Sequence, residues 1–412
     1  MNYGCIGEHL PHSFSKDIHE KIESYDYVLR EVSPEELQVF MEKHDFRAIN
    51  VTIPYKQAVI PYLHSVSDAA KTIGAVNTIV NRDGLLYGYN TDFGGMKALL
   101  ERLELDLNGK KVLILGTGGT SKTAKALAHS LGAREIYRVS RTKNESSLSY
   151  EEAYSLHTDA DAIINTTPCG MFPNTDSSPL DLTKFTKPEG VVDAVYNPLR
   201  TQLLLQARAL GIKAEGGLYM LVAQAVLAAE IFTGKAYGSE LIDRIYGEIL
   251  ADKENIVLIG MPGSGKTTLG KLLAERLGRA FADTDELIVQ KAGMQISDIF
   301  ALHGQDYFRD LETQVIRELS KSSGMVIATG GGSVLRAENV DSLRMNGRLY
   351  FLDRPVGELI VTADRPLSDT EEKLNTLYAE RRPIYCAAAD ETVFVTGTPE
   401  HTARQLASGR HT

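Results

Sequence analysis

The stretch from Ile256 to Thr268 constrains the fold more than any other part of the chain. Four apolar residues, Ile-Val-Leu-Ile, precede Gly-Met-Pro-Gly-Ser-Gly-Lys-Thr-Thr, and helical spacing follows from Leu269 to Leu277. This order is typical of a buried strand, a tight turn and a helix. Backbone N–H groups of such a turn converge on one anion at a helix N-terminus, where the helix dipole also favours negative charge. The sequence therefore predicts a parallel α/β domain that binds a nucleoside triphosphate in the last third of the chain.

Each residue of this phosphate loop has a predicted task. The Lys266 ammonium would reach the outer phosphates, and the Thr267 hydroxyl would coordinate Mg²⁺. The other loop residues would surround the phosphates: Gly260, Gly263, Ser264, Gly265 and Thr268.

The length of 412 residues exceeds one ordinary core and predicts two or three domains. With 43% hydrophobic and 24% charged residues, the composition is that of a soluble globular enzyme. The formal net charge of −10 argues against nucleic acid as a partner, because nucleic-acid binders carry a basic surface. The longest apolar run, Met220 to Phe232, is interrupted by Gln224 and Glu230, so no membrane-spanning segment is predicted.

The three cysteines, Cys5, Cys169 and Cys386, are far apart and lack the spacing of metal ligands. Reduced thiols in a cytoplasm are therefore expected. The first residues, Met-Asn-Tyr-Gly, lack the basic and apolar regions of a signal peptide, which also favours a cytoplasmic protein.

Residues 1 to about 95 alternate short strand-like and helical segments, which predicts a small α/β domain. Ligands of open α/β sheets bind beyond the carboxyl ends of strands, and polar residues at those ends therefore indicate a ligand site. A helix cap or a turn is the alternative for several of them taken singly. The polar residues at the expected strand ends are Ser13, Ser15, Thr52, Lys56, Asn77, Asn90 and Asp92.

A second pattern of strand, glycine turn and helix begins at Lys111. The turn Gly-Thr-Gly-Gly-Thr-Ser, residues 116–121, predicts a dinucleotide-binding start, although Ser121 replaces the third glycine of the usual spacing. The helix is expected over Lys122–Leu131. The next strand ends in Ser140-Arg141-Thr142, where a cation favours the 2′-phosphate of NADP; a solvated arginine is the alternative.

The rest of the first 250 residues continues this parallel sheet and then returns to the first domain. A nearly continuous apolar helix opens after Gly217 and contains Gln224, whose amide needs a polar partner whether it faces a ligand or sits in the core. A final helix is predicted over Tyr237–Ala251, before a short polar joint of residues 251–255.

The segments around Ser13 to Ser15, Asn50 to Lys56, Gly74 to Thr78 and Gly88 to Asp92 resemble the substrate domain of the shikimate dehydrogenase family. The resemblance implies that the two serines bind the substrate carboxylate and that Lys56 and Asp92 form the catalytic pair. An ammonium oriented by a carboxylate can supply the proton that a ketone needs when hydride reduces it. Further contacts to the substrate are implied for Thr52, Asn77, Asn90 and Gln224, and contacts to NADP(H) for Gly116, Gly118, Gly119, Ser140, Arg141, Thr142, Thr166 and Gly217. The sequence departs from the family at two places. One is Ser140, and the other is Lys16-Asp17, where the family commonly has a proline.

The last part, residues 255–408, resembles shikimate kinase in its phosphate loop and in five short motifs expected at strand ends or in loops. The resemblance implies that Asp283 holds Mg²⁺ with Thr267, and that Asp285 orients the attacking hydroxyl and accepts its proton. Phosphoryl transfer relies mostly on positioning and charge neutralisation. Arginines suit a bidentate grip on a carboxylate. Arg309 and Arg381 would bind the substrate carboxylate, Gly331 and Gly332 would let backbone approach the ring, and Arg365 on a lid would screen the phosphoryl group. The lid is short, with Val-Thr-Ala-Asp alone between Ile360 and Arg365, and Thr362 stands where the family has an arginine facing the adenine.

These features predict an α/β chain with a dehydrogenase module at 1–250 and a P-loop kinase module at 254–412. The first module would comprise a substrate domain, residues 1–100 and 217–250, and a Rossmann NADP-binding domain, residues 101–216. The resemblance implies NADPH-dependent reduction of 3-dehydroshikimate to shikimate and then ATP- and Mg²⁺-dependent formation of shikimate 3-phosphate, in aromatic amino acid biosynthesis. These small molecules, and neither nucleic acid nor a membrane, are the expected partners.

Two alternatives stay open from the sequence. Another enzyme of the same class would reduce quinate or phosphorylate a different small alcohol, although the presence of both Ser13 and Ser15 favours shikimate. A metabolite-sensing regulator built from inactive copies of both folds would have lost its catalytic side chains, whereas every one named above is present.

Overall fold

The computed structural model describes residues 1–10, 14–142, 146–359, 371–395 and 397–408. The chain forms two compact units, Met1–Ile249 and Leu250–Thr412, and each is described by itself. Both are α/β, with helices that pack on largely parallel sheets, which confirms the predicted fold class.

The first lobe of the N-terminal unit is a six-stranded mixed sheet in the order β2-β1-β3-β5-β6-β4. A hairpin of the last two long strands makes the sheet mixed, since β5 pairs antiparallel with both β3 and β6. The strands are β1 Tyr3–Gly7, β2 Tyr27–Glu31, β3 Ala48–Val51, β4 Ser65–Val66, β5 Thr78–Arg82 and β6 Leu85–Tyr89, and the helices are α1 Ser15–Ile22, α2 Pro34–Lys43, α3 Asp68–Ile73 and α4 Asp92–Arg102.

The second lobe is a five-stranded parallel sheet in the order β11-β10-β9-β7-β8. The interior strand β7 is buried along its whole length, as the continuous apolar run predicts. The strands are β7 Lys111–Leu115, β8 Glu135–Val139, β9 Ala162–Asn165, β10 Gly190–Asp193 and β11 Lys213–Glu215, and the helices are α5 Gly119–Ser130, α6 Tyr150–Leu156 and α7 Gln202–Ala209.

Two further helices, α8 Leu218–Thr233 and α9 Ser239–Lys253, follow the second lobe. Helix α8 packs on α4 and α1 of the first lobe, which explains why it is apolar nearly all round. The predicted polar joint at residues 251–255 is wrong. Helix α9 runs through Lys253 and strand β12 begins at Asn255, so that Glu254 alone separates the two elements.

The C-terminal unit is a five-stranded parallel sheet in the order β13-β14-β12-β15-β16. Because all five strands run the same way, the loops that follow them share one edge. The strands are β12 Asn255–Ile259, β13 Phe281–Asp283, β14 Val326–Ala328, β15 Gly347–Asp353 and β16 Glu391–Phe394, and the helices are α10 Lys266–Leu277, α11 Thr284–Ala292, α12 Ile296–Leu319, α13 Ala337–Asn346, α14 Glu371–Ala388 and α15 Pro399–Ser408.

Within the described ranges, none of the helices combines the length and apolar character that crossing a membrane requires.

Candidate active sites

Lys56 and Asp92 meet at one edge of the first sheet. Lys56 follows β3 and Asp92 follows β6; these strands run in the same direction because each is antiparallel to β5. The Lys56 Nζ donates to Asp92 Oδ2 at 2.6 Å, and the side chains are 19% and 10% exposed. The fold thus joins two charges 36 positions apart into a charge-assisted hydrogen bond with restricted access to water.

Asn77 orients the carboxylate of this pair. Its Nδ2 donates to Asp92 Oδ1 at 2.9 Å, and its Oδ1 accepts from the Thr91 backbone N–H at 2.8 Å. Both Asp92 oxygens therefore have donors, one from Lys56 and one from Asn77. The structure brings these three predicted site residues together.

Asn50 lies behind Asn77 and received no role from the sequence. Its Oδ1 accepts from the Tyr27 hydroxyl at 2.7 Å, and its Nδ2 donates to Thr78 Oγ1 at 3.2 Å. Thr78 in turn donates to Asn77 Oδ1 at 3.0 Å. An asparagine inside the otherwise apolar, fully buried strand β3 was the available signal, since a buried amide requires partners.

The Gln224 amide has one atom bonded within the core and the other directed at the candidate site, so it fits both alternatives left open by the sequence. Its Nε2 donates to the Leu221 carbonyl at 2.9 Å within α8, as a core amide would. Its Oε1 accepts from Asn77 Nδ2 at 3.5 Å and from Thr91 Oγ1 at 3.4 Å, so the oxygen faces the neighbours of Asp92. Helix α8 comes this close because Gly95 of α4 has no side chain.

The remaining predicted substrate contacts are Ser13, Ser15, Thr52 and Asn90. Ser15 opens α1 and is partly buried, Thr52 is partly buried just after β3, and Ser13 lies outside the described residues. Asn90 uses its amide structurally: Nδ2 donates to the Ala75 carbonyl at 3.0 Å, and Oδ1 accepts from the Phe93 N–H at 3.3 Å. Each of these bonds leaves a further N–H and a further lone pair of the Asn90 amide, so the contact to a ring hydroxyl stays a prediction.

The glycine turn of the second lobe leaves room for a diphosphate. Gly116 has a φ of +107°, which favours glycine, and a Cβ there would lie 2.8 Å from Thr166 Oγ1. Gly118 and Gly119 face open space, so a ligand could approach their backbone. Helix α5 begins at Gly119 rather than at the predicted Lys122, which brings its N-terminal N–H groups into the turn.

Ser121 and Thr166 stabilise this turn. Ser121 is fully buried, and its hydroxyl donates to the Gly116 carbonyl at 2.7 Å. The Thr166 hydroxyl donates to the Leu115 carbonyl at 2.6 Å. The absence of the third glycine is thus accommodated by a small side chain that bonds back to the turn.

The other predicted cofactor contacts lie near the carboxyl ends of the same strands. Ser140 directly follows β8, and Arg141 and Thr142 after it are exposed. Gly217 immediately precedes α8 and donates its N–H to the Val195 carbonyl at 3.0 Å. The Arg141 guanidinium at the end of β8 is exposed, so a phosphate can reach it.

Asp193 at the end of β10 was missed by the sequence reading. It accepts from Thr201 Oγ1 at 2.6 Å, from the Val195 N–H at 2.9 Å and from Asn165 Nδ2 at 2.9 Å. Burial raises the pKa of this carboxyl to about 6, against the lowering effect of these three donors. It ties the end of β9 to the segment after β10.

The phosphate loop follows β12 as predicted. Gly260, Gly263 and Gly265 have φ values of +145°, +79° and +90°, which side chains rarely adopt. The Lys266 ammonium is buried and donates to the Gly260 carbonyl at 2.9 Å and the Met261 carbonyl at 2.8 Å. The ammonium therefore lies within the loop itself.

Thr267 and Asp283 form the predicted metal-binding pair. The Thr267 hydroxyl donates to Asp283 Oδ2 at 2.7 Å, while Asp283 Oδ1 accepts from the Asp285 N–H at 2.9 Å. A hydroxyl and a carboxylate are hard oxygen ligands of the kind Mg²⁺ uses beside substrate phosphates. Within the described part of the chain, no group of three or more His, Cys, Asp or Glu suited to a metal occurs.

A cavity of about 830 Å³ joins the phosphate loop to the predicted acceptor residues. Arg381 lies at its wall, and its Nη1 donates to the Gly331 carbonyl at 3.1 Å. Gly331 packs on Pro262, since a Cβ there would lie 2.7 Å from the proline ring. The lining includes Lys266, Thr267, Asp283, Asp285, Arg309, Gly331, Gly332 and Arg381, so predicted phosphate, metal and acceptor residues share one cavity.

Arg309 and Arg381 lie on helices α12 and α14, which corrects their expected placement at strand ends or in loops. The neighbouring Arg382 donates to Asp353 Oδ2 through Nε at 3.1 Å and Nη2 at 2.9 Å. Arg365 and the short lid, including Thr362, lie outside the described residues.

Glu312 is a second residue that the sequence reading left without a role. It is fully buried, and its carboxylate accepts from Arg309 Nη1 and, at 2.7 Å, from Ser333 Oγ. A Cβ on Gly330 would lie 2.6 Å from Asp285 Oδ1 and 2.9 Å from Glu312 Oε1. The first glycine of the triple-glycine run therefore makes room for both carboxylates.

Family comparisons agree with this division of the chain. The family model described as shikimate dehydrogenase substrate binding domain matches residues 5–79, and the one described as shikimate kinase matches residues 262–408. Among curated proteins, the chain is similar to shikimate dehydrogenase (NADP(+)) of Clostridium perfringens strain SM101, with 39% identity over 60% of this chain and 97% of that protein. The enzyme of the same name from Geobacillus kaustophilus is 36% identical over 57% of this chain and 92% of that protein.

Solved structures extend the similarity to the fold. A chorismate mutase/shikimate 5-dehydrogenase fusion protein from Clostridium acetobutylicum is 34% identical, with a TM-score of 0.57, over 60% of this chain and 96% of that chain. Shikimate 5-dehydrogenase from Thermus thermophilus, in complex with NADP(H) and shikimate, is 28% identical with a TM-score of 0.55, over 60% of this chain and 99% of that chain.

Proposed function

The chain belongs to the shikimate dehydrogenase family and carries a shikimate kinase domain, and on this premise we propose that it catalyses two consecutive reactions. The first is NADPH-dependent reduction of 3-dehydroshikimate to shikimate. The second is ATP- and Mg²⁺-dependent phosphorylation of shikimate to shikimate 3-phosphate. The observation that carries the proposal is the presence, in one chain, of an assembled Lys56–Asp92 pair and an assembled phosphate loop with its Thr267–Asp283 pair.

Reduction would proceed through Lys56. The Lys56 ammonium would give its proton to the carbonyl oxygen as negative charge develops there, while bound NADPH would supply the hydride. Asp92 holds the ammonium in position at 2.6 Å, and Asn77 holds Asp92. The lysine then regains a proton from solvent, so the reaction consumes one hydride and one proton.

NADP(H) fits the second lobe on the observed geometry. The open backbone at Gly118 and Gly119, at the N-terminus of α5, suits the diphosphate. Arg141 with its neighbours Ser140 and Thr142 suits the 2′-phosphate. Thr166 and Gly217 would flank the cofactor on the side that faces the substrate.

Phosphorylation would take place in the cavity next to the phosphate loop. Asp285 would accept the proton of the attacking hydroxyl, and Arg309 and Arg381 would hold the acceptor carboxylate. Lys266 would leave the loop carbonyls for the outer phosphates, and Arg365 would screen the phosphoryl group in transfer. Magnesium ions bound by Thr267 and Asp283 would neutralise phosphate charge.

One assay tests both activities: the purified chain is given 3-dehydroshikimate, NADPH, ATP and Mg²⁺, and the products are followed by mass spectrometry. We expect NADPH consumption and shikimate 3-phosphate. Quinate in place of shikimate, as substrate for NADP⁺ reduction, tests the nearest alternative substrate. Turnover of neither cofactor would overturn the proposal in favour of a metabolite-sensing regulator.

We also propose that the enzyme acts in the cytoplasm. The support is that Cys5, Cys169 and Cys386 are all free thiols, as a reducing compartment would keep them. Shikimate and 3-dehydroshikimate are the partners that this function requires.

A further inference from the structure

Arg354 places a second cation beside the phosphate loop. It directly follows β15, the strand that pairs with β12, and the Leu352 carbonyl packs against Gly260 at the start of the loop. The Arg354 side chain is only 19% exposed. Its Nη1 lies 3.8 Å from the position that a Cβ on Gly265 would take.

The groups beside the Arg354 guanidinium at the phosphate loop are themselves positive. Gly265 caps the N-terminus of α10, where the helix dipole is positive, and Lys266 adds a buried ammonium. A cation next to these two positive groups is unfavourable unless an anion joins them. Its neighbour in sequence, Asp353, is already bonded to Arg382 and to the Tyr378 hydroxyl.

The carboxylate that pairs with Arg354, that of Glu358, compensates its charge weakly. Glu358 Oε2 stands 3.6 Å from Arg354 Nε, an ion pair without a hydrogen bond, and the Glu358 side chain is 56% exposed. Exposed pairs of this kind contribute little stability. The Arg354 Nε is buried and has no hydrogen-bond partner among the residues that the structure describes. A buried donor without an acceptor calls for a ligand that supplies one.

We propose that Arg354 is a polyphosphate-binding residue: its guanidinium leaves Glu358 and binds a phosphate of the nucleotide next to Gly265. This assignment rests on the proposed kinase function of the unit and adds a residue that the loop motif does not contain. A planar guanidinium fits two phosphate oxygens at once, which a lysine cannot match. Arg354, which follows β15, thus adds a cation to the anion site formed by the loop that follows β12.

The test is calorimetric titration of the full-length chain with MgADP and, separately, with inorganic pyrophosphate. Arg354→Met keeps most of the stem and removes the charge, so we expect ADP affinity to fall about 10- to 100-fold and pyrophosphate affinity by the same factor. Arg354→Lys, which keeps the charge and loses the planar fork, should give an intermediate loss. If Arg354→Met folds poorly, the ADP and pyrophosphate affinities of Arg354→Lys still test the proposal.

Arg348→Met is the matched control. Arg348 is at the opposite end of β15, paired with Glu391, and its loss should leave ADP affinity unchanged. Wild-type affinity in Arg354→Met would overturn the proposal, as would a loss for ADP without a loss for pyrophosphate, which would place the guanidinium on the adenosine. Failure of the wild-type chain to bind either ligand would instead contradict the proposed kinase function.

Discussion

Proton delivery in the proposed reduction depends on one side chain, Lys56. No second ammonium is hydrogen-bonded to Asp92 among the described residues. We therefore predict that Lys56→Ala lowers kcat for 3-dehydroshikimate reduction by on the order of 10²- to 10⁴-fold, the usual contribution of general acid catalysis. The same protein should phosphorylate shikimate at the wild-type rate. Loss of both activities in folded protein would contradict a two-site enzyme.

Lys266 has the corresponding position in the C-terminal unit. Its ammonium already lies 2.8 to 2.9 Å from two loop carbonyls, so a short movement would carry it to the phosphates. Lys266→Ala should abolish phosphorylation and leave NADPH oxidation unchanged, measured in separate assays with shikimate and 3-dehydroshikimate. Residual phosphorylation near the wild-type rate would show that the loop does not hold the transferred phosphate.

Glu312 is expected to act through Arg309. In Glu312→Gln the buried guanidinium loses its charged partner, and the Arg309 Nε has no hydrogen bond to hold it among the described residues. We predict a rise of tenfold or more in KM for shikimate with little change in KM for ATP. Glu318→Gln on the same helix α12 is the control, because Glu318 is exposed and pairs with Lys291 at the surface. Equal effects on both KM values would indicate a general loss of structure.

Roles carried by short motifs could be predicted from the sequence, whereas roles that depend on tertiary contacts could not. The specific segments around Lys56 and Asp92 predicted that these two side chains meet, and those around Thr267 and Asp283 predicted the same for that pair, as the structure has them. Asn50 and Glu312 stood within such motifs, but Asn50 bonds to Tyr27 of β2 and Thr78 of β5, and Glu312 bonds to Ser333, all distant along the chain. The Asn90 amide also bonds to the backbone at Ala75 and Phe93, contacts that the motif alone does not predict.

At the scale of elements, the contact between α4 and α8 sets the position of Gln224. A Cβ on Gly95 would lie 2.7 Å from the Met220 carbonyl and 2.9 Å from Gln224 Cβ. Gly95→Ala should therefore force the helices apart, destabilise the unit by about 1 to 3 kcal/mol and raise KM for 3-dehydroshikimate.

Gly247→Ala is the matched substitution for Gly95→Ala. Gly247 lies inside α9 with no atom within 4 Å of an added Cβ, so alanine should stabilise the helix by about 0.5 to 1 kcal/mol. Denaturant unfolding of both variants measures the two effects. A stabilising effect of Gly95→Ala would contradict the close approach of α4 and α8.

Asp193 makes the second lobe sensitive to pH. Its pKa of about 6 is above the ordinary value of 3.8, so the folded state binds the proton more firmly, and stability from this group falls as the pH rises from about 4 to 6. The difference corresponds to roughly 3 kcal/mol at neutral pH. In Asp193→Asn, the amide oxygen can still accept from Val195 and Asn165, and the NH₂ group can donate to Thr201 Oγ1.

We therefore expect Asp193→Asn to raise the unfolding temperature at pH 7.5 and to have little effect at pH 4.5. Calorimetry should follow the transition that NADP⁺ shifts upward, since that transition belongs to the N-terminal unit. Asp181→Asn is the control: hydrogen bonds from Thr183 lower the pKa of Asp181, so its neutralisation should give no gain at pH 7.5. A gain for Asp181→Asn equal to that for Asp193→Asn would contradict the role of burial.

Element types were predictable from periodicity, and element ends were less so. Helix α5 begins three residues before its predicted start because Gly119, the last glycine of the turn, is already its first residue, and a prediction that treats glycine as a helix breaker excludes it. The β5–β6 hairpin was also missed, although its turn residues, Asp83 and Gly84, are a recognised hairpin signal and both have positive φ. That hairpin gives β3 and β6 the same direction and so brings Lys56 to Asp92.

At the scale of the whole molecule, each unit has its own sheet and its own candidate site. Every residue proposed for reduction lies within the first unit, and every residue proposed for phosphorylation lies within the second. Neither site therefore needs a side chain from the other unit, and free diffusion of shikimate between the sites is the expected behaviour.

Mixing two single-site variants tests this expectation. Lys56→Ala retains a complete kinase site and Lys266→Ala a complete dehydrogenase site, so the intermediate must leave one chain and enter another. With free diffusion, the mixture should form shikimate 3-phosphate from 3-dehydroshikimate with the same lag and rate as wild-type protein at the same concentration of each intact site. Added labelled shikimate should also equilibrate fully with the intermediate in the wild-type reaction. A longer lag in the mixture, together with exclusion of the label in wild type, would require direct transfer within one chain and would make the arrangement of the two units part of the mechanism.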